Sequence, residues 1–181
     1  MIDHFGNSIT LKSHTQTVFP FTLLSELFPR KERITKSYPF TPMNSHNNLS
    51  DSALEAAFYD CTLPPALFDH EAHLRLAWIH IKRYGLAQAI LNLQIQIQRY
   101  ATSLGAADKY HSTLTVAAIY TVDHFMQRCD AGTFAELLLA FPRLKTDFWG
   151  LITSHYSEAR IQSAEAKKAW LAPDLLAYPQ T

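Results

Sequence analysis

Glycine is scarce in this chain, with five among 181 residues, and so is charge, with only 18% of positions charged. So few glycines argue against the backbone cradles that hold nucleotide phosphates, and no Gly-rich phosphate loop is present. Sixteen basic residues balance sixteen acidic ones, leaving a formal net charge of zero. That balance argues against a dominant polyanion-binding surface, so neither nucleic acid nor a membrane is an expected partner. The two cysteines, Cys61 and Cys129, cannot make a disulfide framework, and neither sits in a C-x-x-C or metal-binding spacing. A reducing compartment is the default for such a chain, so the expected location is cytoplasmic. No stretch approaches the roughly 18 apolar residues of a membrane span. The first residues also lack the basic-then-apolar pattern of a signal peptide.

What is present is apolar mass and histidine. Apolar residues make up 48% of the sequence, enough for one domain with a sizeable core. There are nine histidines, and five of them fall between His70 and His124. The composition shifts near residue 50. Residues 1–48 are rich in Ser, Thr, Asn and His, and Pro20, Pro29, Pro39 and Pro42 interrupt any long pattern, which predicts a loosely ordered extension. Only residues 22–28 could make a short helical turn. Met43 opens a stretch that reads as an ordinary protein start, so a mis-assigned upstream segment of 1–42 is an open reading beside a genuine extension. Residues 49–181 read as a single helical domain.

Within that domain the punctuation predicts helices over about 51–61, 70–84, 86–104, 109–128, 133–140, 143–154 and 157–170. Ser50, Asp69 and Ser157 are placed as N-caps, Gly85 and Gly105 as stops, and Pro142 as a helix start. The middle of the third segment, Leu91-Asn-Leu-Gln-Ile-Gln-Ile-Gln, alternates like a strand, but its length and flanking helix formers decide for helix. Short connections predict an all-α, compact antiparallel bundle of about five to seven helices. The last residues, 171–181, form a tail with Leu175, Leu176 and Tyr178 available for packing.

At about 100° per residue the helical faces can be assigned. His70, His73, Leu74, Ala77 and Ile81 share one stripe, with His80 near its edge; Glu71 and Arg75 sit away from it as an exposed ion pair. In the 109–128 segment His111, Leu114, Thr115, Ala118 and Val122 share the other stripe, with Asp123 and His124 outside it. The pattern therefore drives His70, His73, His111 and Thr115 inward. An unpaired buried imidazole costs about 1–3 kcal/mol, so each needs a partner or a task.

Three tasks are open. Two histidines three apart can share a metal ion with a third from a facing helix, making His70, His73 and His111 a candidate site for a divalent metal. Neutral imidazoles also suit acid–base work near pH 7. The plainer alternative is a core hydrogen-bond network. His155 and Tyr156 could close over the same interior as further ligand-contacting residues. Thr113 reads as a helix-surface or back-bonding hydroxyl, and Trp78, Trp149 and Trp170 as core or docking residues. There is no G-x-S-x-G, no H-E-x-x-H and no inward Glu-x-x-His pair of the di-iron type.

The set Cys61-Thr-Leu-Pro64, Phe68-x-His70-x-x-His73-Leu-Arg-Leu-Ala-Trp78, Lys109-Tyr-His111-x-Thr113-Leu-Thr115, His155-Tyr-Ser157 and Trp170-x-x-Pro173-Asp-Leu175 resembles an uncharacterised bacterial all-helical family. The resemblance covers roughly the last 125 residues. It implies a helical fold and attaches no activity.

Two functions follow from different classes. One is a small-molecule-binding or enzymatic domain with a site between the second and fourth helices. The other is a non-catalytic interaction module, compatible with a homodimer, whose histidines only organise the core. Its candidate surface is the apolar run Leu137-Leu-Leu-Ala-Phe141.

Overall fold

A computed structural model describes residues 45–179. The expected turn at 22–28 and the alternative start at Met43 lie outside these residues. The described chain is all-α, with no strand. Its helices are α1 (Asp51–Tyr59), α2 (His70–Tyr84), α3 (Leu86–Ser103), α4 (Ser112–Met126), α5 (Phe134–Ala140), α6 (Arg143–Thr146), α7 (Phe148–Thr153), α8 (Glu158–Ile161) and α9 (Ala164–Lys168). Single 3₁₀ turns sit at His46–Asn48, Pro65–Leu67 and Ala107–Lys109.

The long helices begin where side chains accept orphan backbone protons. Ser50 Oγ accepts from Ala53 N at 3.1 Å and Asp69 Oδ1 from Ala72 N at 2.9 Å. Gly85, at φ 77°, ends α2 and directly precedes α3, so one left-handed residue turns the chain between two long helices. Thr133 and Glu136 form a capping box at the start of α5.

α2, α3 and α4 pack pairwise into the central layer. The alternating stretch of α3 is helical throughout, and the alternation has a consequence. Leu93 and Tyr100 enter the core while Leu91 and Ile95 remain 55% and 66% exposed, because a period of 2 cannot keep every apolar residue on one helical face. Phe58, Phe68 and Tyr100 form an aromatic cluster at one end of this layer, with the Tyr100 hydroxyl donating to Leu63 O at 2.7 Å.

Two predicted helices are each divided. The 143–154 segment breaks at Asp147, whose carboxylate is drawn to Arg143. The 157–170 segment breaks at Ser163 because the sequence carries two capping serines: Ser157 Oγ caps α8 and Ser163 Oγ caps α9. α9 then packs against α4.

The helical domain also reaches back into the expected extension. His46 is buried, and Arg75 donates to His46 O at 2.8 Å, to Leu49 O at 2.9 Å and to Asp51. The expected exposed Glu71–Arg75 pair is therefore not formed: Arg75 turns inward to anchor residues 46–51, and Glu71 pairs with Lys145 at 2.7 Å. His80, placed near an edge by the sequence pattern, is only 1% exposed. Asp123, placed outside the α4 stripe, is buried and accepts from Gln127. The Leu137–Phe141 run offers no continuous surface. Leu137 is fully buried and Phe141 packs on Phe125, which leaves Leu139 projecting at 82% exposure.

Candidate functional site

The site is built on the first turn of α2. With Asp69 fixed as its cap, His70 and His73 fall three apart on one face. His70 Nε2 donates to Leu144 O at 2.9 Å, tying α2 to α6, and its ring lies 4.9 Å from that of Phe148. The His73 ring stacks on Phe68 with centroids 3.7 Å apart. Its Nδ1 lies 2.7 Å from Asp69 O. A carbonyl can only accept, so Nδ1 carries the proton and Nε2 presents a lone pair. That Nε2 is buried and has no hydrogen-bond partner among the described residues. Burial pushes the His73 pKa down to about 4, so the ring is neutral at physiological pH.

On the facing element the structure corrects the reading of His111. It is not inside a helix that starts at 109; it is the N-cap of α4, with extended backbone at φ −137°. Its Nδ1 accepts from Leu114 N at 3.1 Å, as an Asp or Ser oxygen would. Nε2 therefore bears the proton, and it donates to Ile161 O at 2.9 Å. One imidazole thus starts α4 and holds the end of α8 against it. Burial lowers the pKa of both His70 and His111 below the ordinary histidine value. The Tyr110 hydroxyl turns toward Ser112 and Thr115, and burial raises its pKa.

These side chains converge on a cavity of about 440 Å³. α2 supplies His70, His73, Leu74 and Ala77; α3 supplies Leu93, Ile97 and Ala101; α4 supplies Leu114, Thr115, Ala118 and Ile119. Phe148 and Trp149 of α7 form a further wall, and the α8–α9 segment from Ile161 to Ala164 forms another. Asp108, Lys109 and Lys167 also border the cavity, and all three side chains are exposed. The interior is thus apolar and uncharged, with imidazoles and a threonine set into it and charge confined to solvent-facing residues. Among the residues picked out from the sequence, His70, His73, His111 and Thr115 all line this one cavity. Tyr110, Phe148 and the α8–α9 wall were not anticipated, and Trp149, read as a core or docking residue, lines it as well.

His155 and Tyr156 do not line it; they hold the C-terminal segment. The His155 ring stacks on Tyr178 at 3.9 Å and its Nδ1 donates to Leu176 O at 2.7 Å. The Tyr156 hydroxyl donates to Leu171 O at 3.0 Å. Thr113 joins the same task, since its buried Oγ1 donates to Ala169 O at 2.7 Å and accepts from Leu171 N at 2.9 Å. It is neither a surface hydroxyl nor one bonded back to its own helix. Asp174 accepts from the Ser157 backbone and hydroxyl, and Tyr178 is buried against Thr121. Leu175 and Leu176, expected to pack, are exposed; the tail is held by hydrogen bonds and by Tyr178.

His70, His73 and His111, read above as a candidate metal centre, are each engaged with the backbone. Both His111 nitrogens are committed to the backbone and His70 Nε2 is committed to Leu144 O, so those lone pairs or protons are in use. Among the described residues no group of three His, Cys, Asp or Glu side chains is disposed to hold a metal ion.

The fold and site together define an all-α domain with a partly open, largely apolar cavity edged by neutral imidazoles. No family model, curated protein or solved structure matches the chain. Among the described residues no helix is long and apolar enough to cross a membrane.

Proposed function

We propose that this chain binds a small, predominantly apolar molecule in the cavity between α2, α3 and α4. The observation that carries this reading is the cavity itself: about 440 Å³ of largely apolar-walled space between the helices of the central layer and the α7–α9 segments. Ligand sites in soluble proteins typically have this size, with a few placed polar groups in an apolar lining. No reaction is assigned. The histidines act here as neutral hydrogen-bonding groups that shape the walls, and the reading needs no metal. A cytoplasmic setting is supported by Cys61 and Cys129, which are both free thiols.

The test is to fill the space. Ala118 lines the cavity from α4 and is half-buried. The neutral fluorophore N-phenyl-1-naphthylamine should bind the parent saturably at one site. Ala118→Leu should weaken that binding and Ala118→Phe should remove it, while both variants melt no lower than the parent. Unsaturable uptake, or equal binding by parent and both variants, would overturn the proposal.

A further inference from the structure

We infer that the ligand is amphiphilic, with an apolar body inside the cavity and a carboxylate head at its mouth beside Lys109 and Lys167. The inference rests on the binding reading above and adds the ligand's chemical class to it.

The lining of the cavity is divided by polarity. The walls from α2, α3 and α7 are apolar apart from His70 and His73, which both bond to backbone carbonyls. The remaining polar lining comes from two stretches, 108–115 and 162–167. These stretches adjoin, since His111 Nε2 donates to Ile161 O at 2.9 Å and α9 packs against α4. One side of the cavity therefore suits hydrocarbon and the other offers polar groups. Lys109 directly precedes the Tyr110–His111 pair that leads into α4. The Lys167 ammonium is near enough to His111 to add to the effect of burial in lowering that histidine's pKa. Both lysines thus belong to one rim, at the start of α4.

Charge at that rim selects the head. Lys109 and Lys167 are exposed, and among the described residues neither is ion-paired with a carboxylate. Asp108 is the one acidic residue of the lining, so two ammonium groups stand against one carboxylate and leave an excess of one positive charge. A singly charged carboxylate is attracted by that excess, and an alkylammonium is repelled by it. Held at the solvent border, the head avoids the desolvation that an ion would meet between Leu93 and Ile119. Tyr110 and Thr115 line the cavity and are half-buried, and their hydroxyls are of the kind that donate to a carboxylate oxygen. The hydrocarbon body is left to the apolar walls, where burial of its surface favours binding.

The experiment displaces N-phenyl-1-naphthylamine with decanoate, decan-1-ol or decylammonium at low salt and about pH 8, where the acid and the amine are both ionised. It is run on the parent, on Lys109→Gln/Lys167→Gln and on Asp108→Asn. All three substituted side chains are exposed, so each variant is expected to fold. The ratio of decanoate to decanol affinity is taken within each protein, so that a general loss of binding cancels. The expected ratio is about fivefold lower in the double lysine variant and higher in Asp108→Asn, with opposite changes for decylammonium. Added salt should move the parent's ratio toward that of the lysine variant. A ratio equal in all three proteins, or displacement by decanol alone, overturns the inference and leaves the cavity reading standing. If the parent does not bind the fluorophore, the cavity reading itself fails and the inference falls with it.

Discussion

At the scale of single residues, His111 carries the most structural consequence for its size. It caps α4 through Nδ1 and reaches α8 through Nε2, so His111→Ala removes a cap and leaves Ile161 O without its donor. The expected cost is about 2–3 kcal/mol in urea unfolding, from about 1 kcal/mol for a lost cap plus about 1–2 for the unmet carbonyl. His111→Asn restores the cap alone and should recover about 1 kcal/mol of that loss. Equal stability of the two variants would contradict the assigned roles. The inward direction of His70, His73 and Thr115 was legible, because helical periodicity reports which side chains share a face, whereas His111 reaches the cavity from the N-cap, where that periodicity does not apply. The capping role of His111 was not. Imidazole is not among the usual capping groups, and Lys109-Tyr110 before it carries no break signal. Arg75 misled in a related way: its spacing from Glu71 suits a surface pair, but its true acceptors lie 24 to 29 residues earlier in the chain.

At the scale of elements, the α8–α9 segment and the C-terminal strand of coil behind it form one wall of the cavity and its brace. These helices have four and five residues, too short to persist by their own backbone bonds. They persist through His111, Thr113, His155 and Tyr156, each of which bonds a carbonyl in the 161–176 stretch. Thr113→Val keeps the shape and removes both bonds of Oγ1. It should cost about 1–3 kcal/mol and raise amide exchange at Leu171 well before global unfolding. Unchanged exchange at Leu171 would show that the brace does not depend on Thr113. The helices of the central layer were legible from caps and glycines. The roles of Thr113, His155 and Tyr156 were not, since their partners lie 15 to 58 residues away and no local pattern announces them.

At the scale of the whole molecule, the buried histidines make stability depend on pH. Burial lowers the pKa of His46, His70, His73, His80 and His111 from 6.5, against smaller opposing attractions from Asp69 and Glu55 at His46 and His80. The unfolded chain takes up protons as the pH falls through 6.5, whereas the folded chain resists, at His73 down to about pH 4. Their contribution is therefore complete above about pH 6.5 and is lost as the pH falls below it. One such proton gives a slope of about 1.4 kcal/mol per pH unit, so several acting together should give a steeper one between pH 6 and 5. Urea unfolding at half-unit pH steps measures this, and a flat profile over that range would contradict the neutral, buried assignment.

The central claim is that the space between α2, α3 and α4 is a binding site. Anomalous scattering from crystals exposed to iodobenzene tests it most directly. The predicted result is an iodine peak bounded by Leu93, Ile119 and Phe148, and its loss in Ala118→Phe crystals. Iodine only on the outer face of α3 beside Leu91 and Ile95, with none in the cavity, would contradict the claim.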